Sequence, residues 1–110
     1  MTVYAFIVTY NRLDLLKKTI ASLQHQSYPI DKIFIVNNGS TDGTTEWLST
    51  QSDLQVILQQ NTGGAGGFST GVEYAYKEGA DWVWMMDDDV FPAPDCLETL
   101  LKYSDRSLCL

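Results

Sequence analysis

Four short runs of apolar, β-branched or aromatic residues recur along the chain, Val3 to Thr9, Lys32 to Val36, Leu54 to Leu58 and Trp82 to Met86, with helical stretches between them. That alternation is the pattern of a parallel sheet covered by helices. The first helix is expected to start at Asn11 as N-cap, because Leu13, Leu16, Ile20 and Leu23 then form one apolar face at three- and four-residue spacing. A second is expected from about Asp42 to Ser49. A third carries Phe68, Val72, Ala75 and Tyr76 on one side, with Gly79 suited to its C-terminal cap. The fourth opens with Asp95 and Glu98, spaced as a capping box, and continues through Leu97, Leu100 and Leu101. The expected fold class is therefore α/β, an open, mostly parallel sheet with helices on both faces.

A chain of 110 residues has room for one domain and one core, so residues 1–110 are read as a single domain. The 45% hydrophobic and 12% aromatic content is that of a packed domain rather than a disordered tail. A net charge of −7 argues against a nucleic-acid or anionic-membrane partner and favours a divalent cation. Cys96 and Cys109 are too few and too close to the end for a disulfide framework, and read as free thiols of a reducing compartment. No stretch reaches the roughly 20 apolar residues of a membrane span, and the apolar run at the start has no basic leader. The expected location is cytoplasmic, peripheral to the membrane only through other parts.

In open parallel sheets ligands sit beyond the carboxyl ends of the strands, so the segments leaving each strand are the ones to inspect. Here they are polar: Thr9-Tyr10-Asn11-Arg12, then Asn37-Asn38-Gly39-Ser40-Thr41-Asp42, then the segment from Asn61 to Gly67, then Asp87-Asp88-Asp89. All are expected to converge on one rim. The aspartate triplet is the sharpest feature, because adjacent carboxylates with no neighbouring counter-charge repel one another unless a cation is present. Strand alternation turns Asp87 and Asp89 to one side and Asp88 to the other. Two hard oxygens on one side suit Mg²⁺ or Mn²⁺. The bland alternative is a solvated acidic turn ahead of Pro92.

The glycines between Asn61 and Gly71 let backbone approach a bound phosphate at a helix start, although the spacing fits neither a dinucleotide fingerprint nor a P-loop, and a ligand-free turn remains open. Asn37 and Asn38 offer amide donors and acceptors for a base edge, and Gly39 supplies a positive φ. Asn38-Gly39-Ser40 also spells a glycosylation sequon, which carries no meaning without secretion. Tyr10 is suited to stacking on a base and Arg12 to pairing with a diphosphate. His25 reads as a helix-end residue.

Taken in this order, Thr9-Tyr10-Asn11-Arg12, the segment Asn37 to Thr44, and Asp87-Asp88-Asp89 resemble the N-terminal half of family 2 glycosyltransferases of the GT-A fold. The segment Asn61 to Phe68, with the triplet about twenty residues on, is similar to galactofuranosyltransferases and dTDP-rhamnosyltransferases of that family. The resemblance implies that Thr9, Tyr10 and Arg12 contact a pyrimidine nucleotide and its diphosphate. It places Asn38 at the base, where the family usually has Asp, and Asn61 and Gly64 near the donor. Asp87, Asp88 and Asp89 match its DXD motif, the outer two as metal ligands and Asp88 toward the nucleotide. The implied reaction transfers a sugar, with inversion, from a UDP- or dTDP-sugar to the hydroxyl of a glycan or lipid-linked acceptor, with Mn²⁺ or Mg²⁺. The family's general base lies in the half that follows. Donor binding without turnover is thus expected from these residues, with a truncated sheet that leans on a second copy. A nucleotide-sugar-binding module without catalysis stays open. A receiver-like signalling domain would need an acidic pair after the first strand, where Thr9-Tyr10-Asn11-Arg12 stands.

Overall fold

The computed structural model describes residues 2–60 and 64–102, with Gly64 and Ala65 described by their backbone alone. Strands and helices alternate as expected: β1 (Val3–Thr9), α1 (Leu13–Gln24), β2 (Lys32–Asn37), α2 (Thr44–Leu48), β3 (Gln55–Leu58), α3 (Gly64–Lys77), β4 (Trp82–Asp87) and α4 (Cys96–Lys102). The strands form one sheet in the order β3-β2-β1-β4, and every pairing is parallel. β1 lies inside the sheet and is buried along its whole length, which is why its sequence is nearly continuous in apolar residues.

Successive β1 side chains feed two cores. Val3, Ala5 and Ile7 pack with Leu16, Ile20 and Leu23 of α1, Leu48 of α2 and Leu97 of α4. Tyr4, Phe6 and Val8 pack on the other face with Phe34, Val36 and Ala75, flanked by Phe68 and Tyr74 of α3. Helices therefore cover both faces. α3 lies close to the sheet because it turns glycines toward it: a Cβ at Gly67 would stand 2.5 Å from Val8 Cγ1, and one at Gly71 would overlap the Phe6 ring. These two glycines serve packing against β1, which corrects their reading as part of a phosphate-approaching loop.

Several boundaries differ from the sequence reading, each because a distant group supplies the cap. Asn11 is not the N-cap of α1. It adopts φ 52, its side-chain oxygen accepts from the Thr41 N–H at 2.6 Å, and Arg12 occupies the cap position without a side-chain cap bond. Asp42 lies outside α2 and joins two helix starts, accepting the Leu13 N–H at 3.3 Å and the Thr44 N–H at 3.1 Å. The N–H of Leu97 in α4 donates to Gln26 Oε1 at 2.9 Å, a cap supplied by another element where a box from Asp95 and Glu98 was expected. On α3, Ala75 is buried but Val72 and Tyr76 are exposed, because the inward face is the one that carries the glycines. Gly79 does end α3: with φ 82 its N–H donates to the Tyr76 carbonyl, and Ala80 N–H to that of Ala75.

The double role of Asp42 yields a stability prediction. The Thr44 hydroxyl, then the N–H groups of Thr44 and Leu13, hold its carboxyl below the ordinary range. Asp42→Ala should lower stability by about 1 kcal/mol at neutral pH. A depressed pKa contributes stability above the unfolded-state pKa that is lost as pH falls through the folded one. The difference between wild type and variant in urea melts should thus shrink on acidification.

Candidate functional site

The order β3-β2-β1-β4 reverses direction between β1 and β4, so the segments leaving these two strands diverge and open a crevice at their carboxyl ends. The register sets its walls. Val8 pairs with Asp87 and Thr9 with Asn37, so the residues that follow meet at the same level. The crevice encloses about 310 Å³ and is lined by Val8, Thr9, Tyr10, Arg12, Asn38, Asp87 and Asp88. An opening of about 370 Å³ lies at the other end of the sheet, among Gln24, Lys32, Asp53 and Gln55. It faces the amino ends of β2 and β3, away from the polar strand exits.

Asp88 organises the crevice. The strand ends at Asp87, so alternation no longer sets the direction of the next two residues. Asp88 turns inward and is 2% exposed, whereas Asp87 and Asp89 remain exposed. Its carboxylate accepts the Thr9 hydroxyl at 3.0 Å and the Tyr10 N–H at 3.4 Å, and Arg12 Nη1 stands 3.5 Å from its other oxygen. Arg12 also reaches Asp89 at 3.6 Å. The triplet therefore does have a counter-charge, brought from the β1 exit, which no neighbouring position in the sequence announces. Burial pushes the Asp88 carboxyl above its ordinary range, against the hydrogen bonds from Thr9 and Tyr10, and the charge of Asp87 adds to the rise.

One carboxylate oxygen from each of Asp87, Asp88 and Asp89 lies within 4.8 Å of the others. Oxygens sharing an octahedral cation at about 2.1 Å stand roughly 3 to 4 Å apart, so small side-chain rotations bring this set to bonding distance. The donors are all hard oxygens, and the excess negative charge is what a divalent cation would offset. Residues and group fit.

Asn37 and Asn38 divide their work. Asn37 is wholly buried, and its side chain donates to Thr45 Oγ1 at 2.8 Å while accepting the Ser40 N–H at 3.2 Å, which holds the turn in which Gly39 has φ 76. Asn38 lines the crevice, its backbone N–H bonded to the Thr9 carbonyl at 2.9 Å and its Oδ1 accepting from Gln59 Nε2 at 3.2 Å. Tyr10 is 44% exposed beside the opening. Gly64 is the first residue of α3, and Asn61, like Cys109, lies outside the described residues. His25 closes α1 at the surface, its Nδ1 2.6 Å from the Ala21 carbonyl. Gln59 and Thr19 are absent from the residues expected at the site. For Thr19 a signal exists, a polar residue on the apolar stripe of α1; for Gln59, just past β3, there is none.

Comparison with known proteins gives the family and the fold. The sequence model described as Glycosyl transferase family 2 matches residues 4–108. The galactofuranosyltransferase GlfT1 of Mycolicibacterium smegmatis is 36% identical over 103 residues, 91% of this chain and 34% of that protein. A Methanococcus voltae protein named UDP-N-acetylglucosamine–dolichyl-phosphate N-acetylglucosaminyltransferase is 29% identical over 91% of this chain and 46% of its own length. Among solved structures, the mannosyltransferase PcManGT from Pyrobaculum calidifontis, in complex with GDP-Man and Mn²⁺, superposes with a TM-score of 0.74 at 29% identity, over 96% of this chain and 32% of that one. S. aureus TarS in complex with UDP gives 0.79 at 21% identity over the same shares, a likeness of fold. The chain spans about a third of the length of the galactofuranosyltransferase relatives.

Proposed function

The chain belongs to glycosyl transferase family 2, and from that premise we propose that its crevice binds the donor of an inverting glycosyl transfer, a UDP- or dTDP-sugar, together with Mn²⁺ or Mg²⁺. The observation that carries this reading is the convergence of Thr9, Tyr10, Arg12, Asn38 and Asp87 to Asp89 on one opening between β1 and β4. The mannosyltransferase neighbour, solved with GDP-Man and Mn²⁺, supports the pairing of a nucleotide sugar with a divalent cation, while the UDP-bound TarS adds only the shared fold.

Each residue has a physical role in this reading. Asn38 hydrogen-bonds the base, and the exposed ring of Tyr10 stacks on it. Thr9 is tied to Asp88 and shapes the floor. Asp87 and Asp89, the exposed members, hold the cation, while Asp88 fixes the β1 exit and faces the nucleotide. The bound cation supplies charge stabilisation for the leaving diphosphate. Arg12 is half-exposed and its contacts to Asp88 and Asp89 are long, so its guanidinium can turn to the diphosphate of a bound donor. Gly64, the first residue of α3, is assigned to the donor, as is Asn61 on the strength of the sequence resemblance alone. The acceptor is a glycan or a lipid-linked hydroxyl bound through parts of the protein other than these residues, and the general base is assigned to none of the described residues.

No described helix is long and apolar enough to cross a membrane, and we place the reaction at the cytoplasmic side, where nucleotide sugars are available. The intact protein that carries this chain should release nucleoside diphosphate from UDP- or dTDP-sugars with Mn²⁺ or Mg²⁺, and stop when EDTA is added. Undiminished release in EDTA would remove the metal from the proposal, and no release from any pyrimidine donor would remove the donor class.

A further inference from the structure

Thr19 breaks the apolar stripe of α1. Leu16, Ile20 and Leu23 are its other buried residues, and Thr19 is as fully enclosed as Leu16, at 0% exposure. Valine has nearly the same shape and would fill the position without burying a hydroxyl, so packing alone does not call for threonine. The hydroxyl lies 3.1 Å from the carbonyl of Leu15, the contact any helical threonine can make within its own helix, and 2.9 Å from the carbonyl of Asp88. The second contact reaches across 69 positions to the middle of the aspartate triplet.

That bond completes a set of restraints on one residue. The Asp88 carboxylate is held by Thr9 at 3.0 Å, and its N–H donates to Asp87 Oδ1 at 2.9 Å. Its carbonyl belongs to the rigid peptide plane leading into Asp89, so fixing that oxygen fixes the direction in which Asp89 leaves the turn. Asp89 is itself exposed and tied only loosely to Arg12, at 3.6 Å. Without the Thr19 bond the peptide is free to rotate and to carry the Asp89 carboxylate away from that of Asp87.

We propose that Thr19 is a positioning residue: by holding the Asp88 carbonyl from α1, it keeps the carboxylates of Asp87 and Asp89 converged for a divalent cation. The inference rests on the metal reading given above and adds to it a residue that touches neither cation nor nucleotide.

The test compares Thr19→Val, which keeps the shape and removes the hydroxyl, with Thr19→Ser, which keeps the hydroxyl and removes a methyl group. Mn²⁺ affinity is read from the electron paramagnetic resonance signal of free Mn²⁺ in the presence of UDP, alongside the melting temperature of the metal-free proteins. Both variants should lose some stability, so a purely structural role would weaken Mn²⁺ binding in both alike. The positioning role predicts a split: about tenfold or more weaker binding in the valine variant, within about twofold of wild type in the serine variant. Valine binding Mn²⁺ as tightly as wild type, or serine losing as much as valine, overturns the role of Thr19 and leaves the metal site standing. A folded wild type that retains no Mn²⁺ overturns the metal site and Thr19 with it.

Discussion

Alanine at Asp87 or at Asp89 should weaken Mn²⁺ retention in the presence of UDP by about a hundredfold or more, while the melting temperature of the metal-free protein stays unchanged or rises slightly for Asp89→Ala and falls slightly for Asp87→Ala, which also loses the acceptor of the Asp88 N–H. Both side chains are exposed, and removing either takes a negative charge away from its two neighbours. Asp88→Ala should behave differently. It removes the buried acceptor of the Thr9 hydroxyl and the partner of Arg12, so loss of binding should come with loss of stability. Metal-binding measurements and thermal melts on the three variants separate these roles. An unchanged affinity for both outer variants would show that the triplet is only an acidic turn.

Gly71→Ala should destabilise the protein by about 2 to 3 kcal/mol, lowering its melting temperature by roughly 10 °C or more. Helix propensity alone favours alanine by about 1 kcal/mol. The Cβ, however, would overlap the ring of Phe6, which is wholly buried. That ring is stacked on Phe34 at 5.0 Å and sits against Phe68 at 6.0 Å, so it has nowhere to turn. The overlap decides the sign. Gly79→Ala offers a contrast, since a Cβ there meets nothing within 4 Å and the cost comes from its φ of 82 alone, about 1 kcal/mol. Chemical denaturation of both variants should rank them in that order, and equal losses would mean that α3 does not rest on its glycines.

The reason some features are readable from the chain and others are not lies in how local their physics is. A strand covered on both faces must be apolar along its length, so β1 and β2 are visible as runs in the sequence, and the strand exits point to the rim because parallel strands share a direction. The composition of the cleft is legible for the same reason: Thr9, Arg12, Asn38 and Asp87 stand at or just beyond strand ends. Gly67 and Gly71 mislead, since a glycine that lets a helix touch a sheet is written in the same letter as one that lets backbone touch a phosphate. The caps mislead because Asp42, Gln26 and Asn11 find their partners across the fold, in competition with the local motifs. The Arg12 counter-charge and the Thr19 bond depend on which strands are neighbours, and β4 lies beside β1 only once the sheet has formed.

A nucleoside diphosphate is proposed to occupy the opening between β1 and β4 with the help of a divalent cation. Calorimetric titration of UDP, with dTDP beside it, into the wild-type protein in Mn²⁺ and then in EDTA tests it most directly. One-site binding is expected in Mn²⁺, weakening at least about tenfold in EDTA, because the cation neutralises the repulsion between diphosphate and carboxylates. A folded protein that binds neither nucleotide in Mn²⁺, or binds one equally well in EDTA, would contradict it.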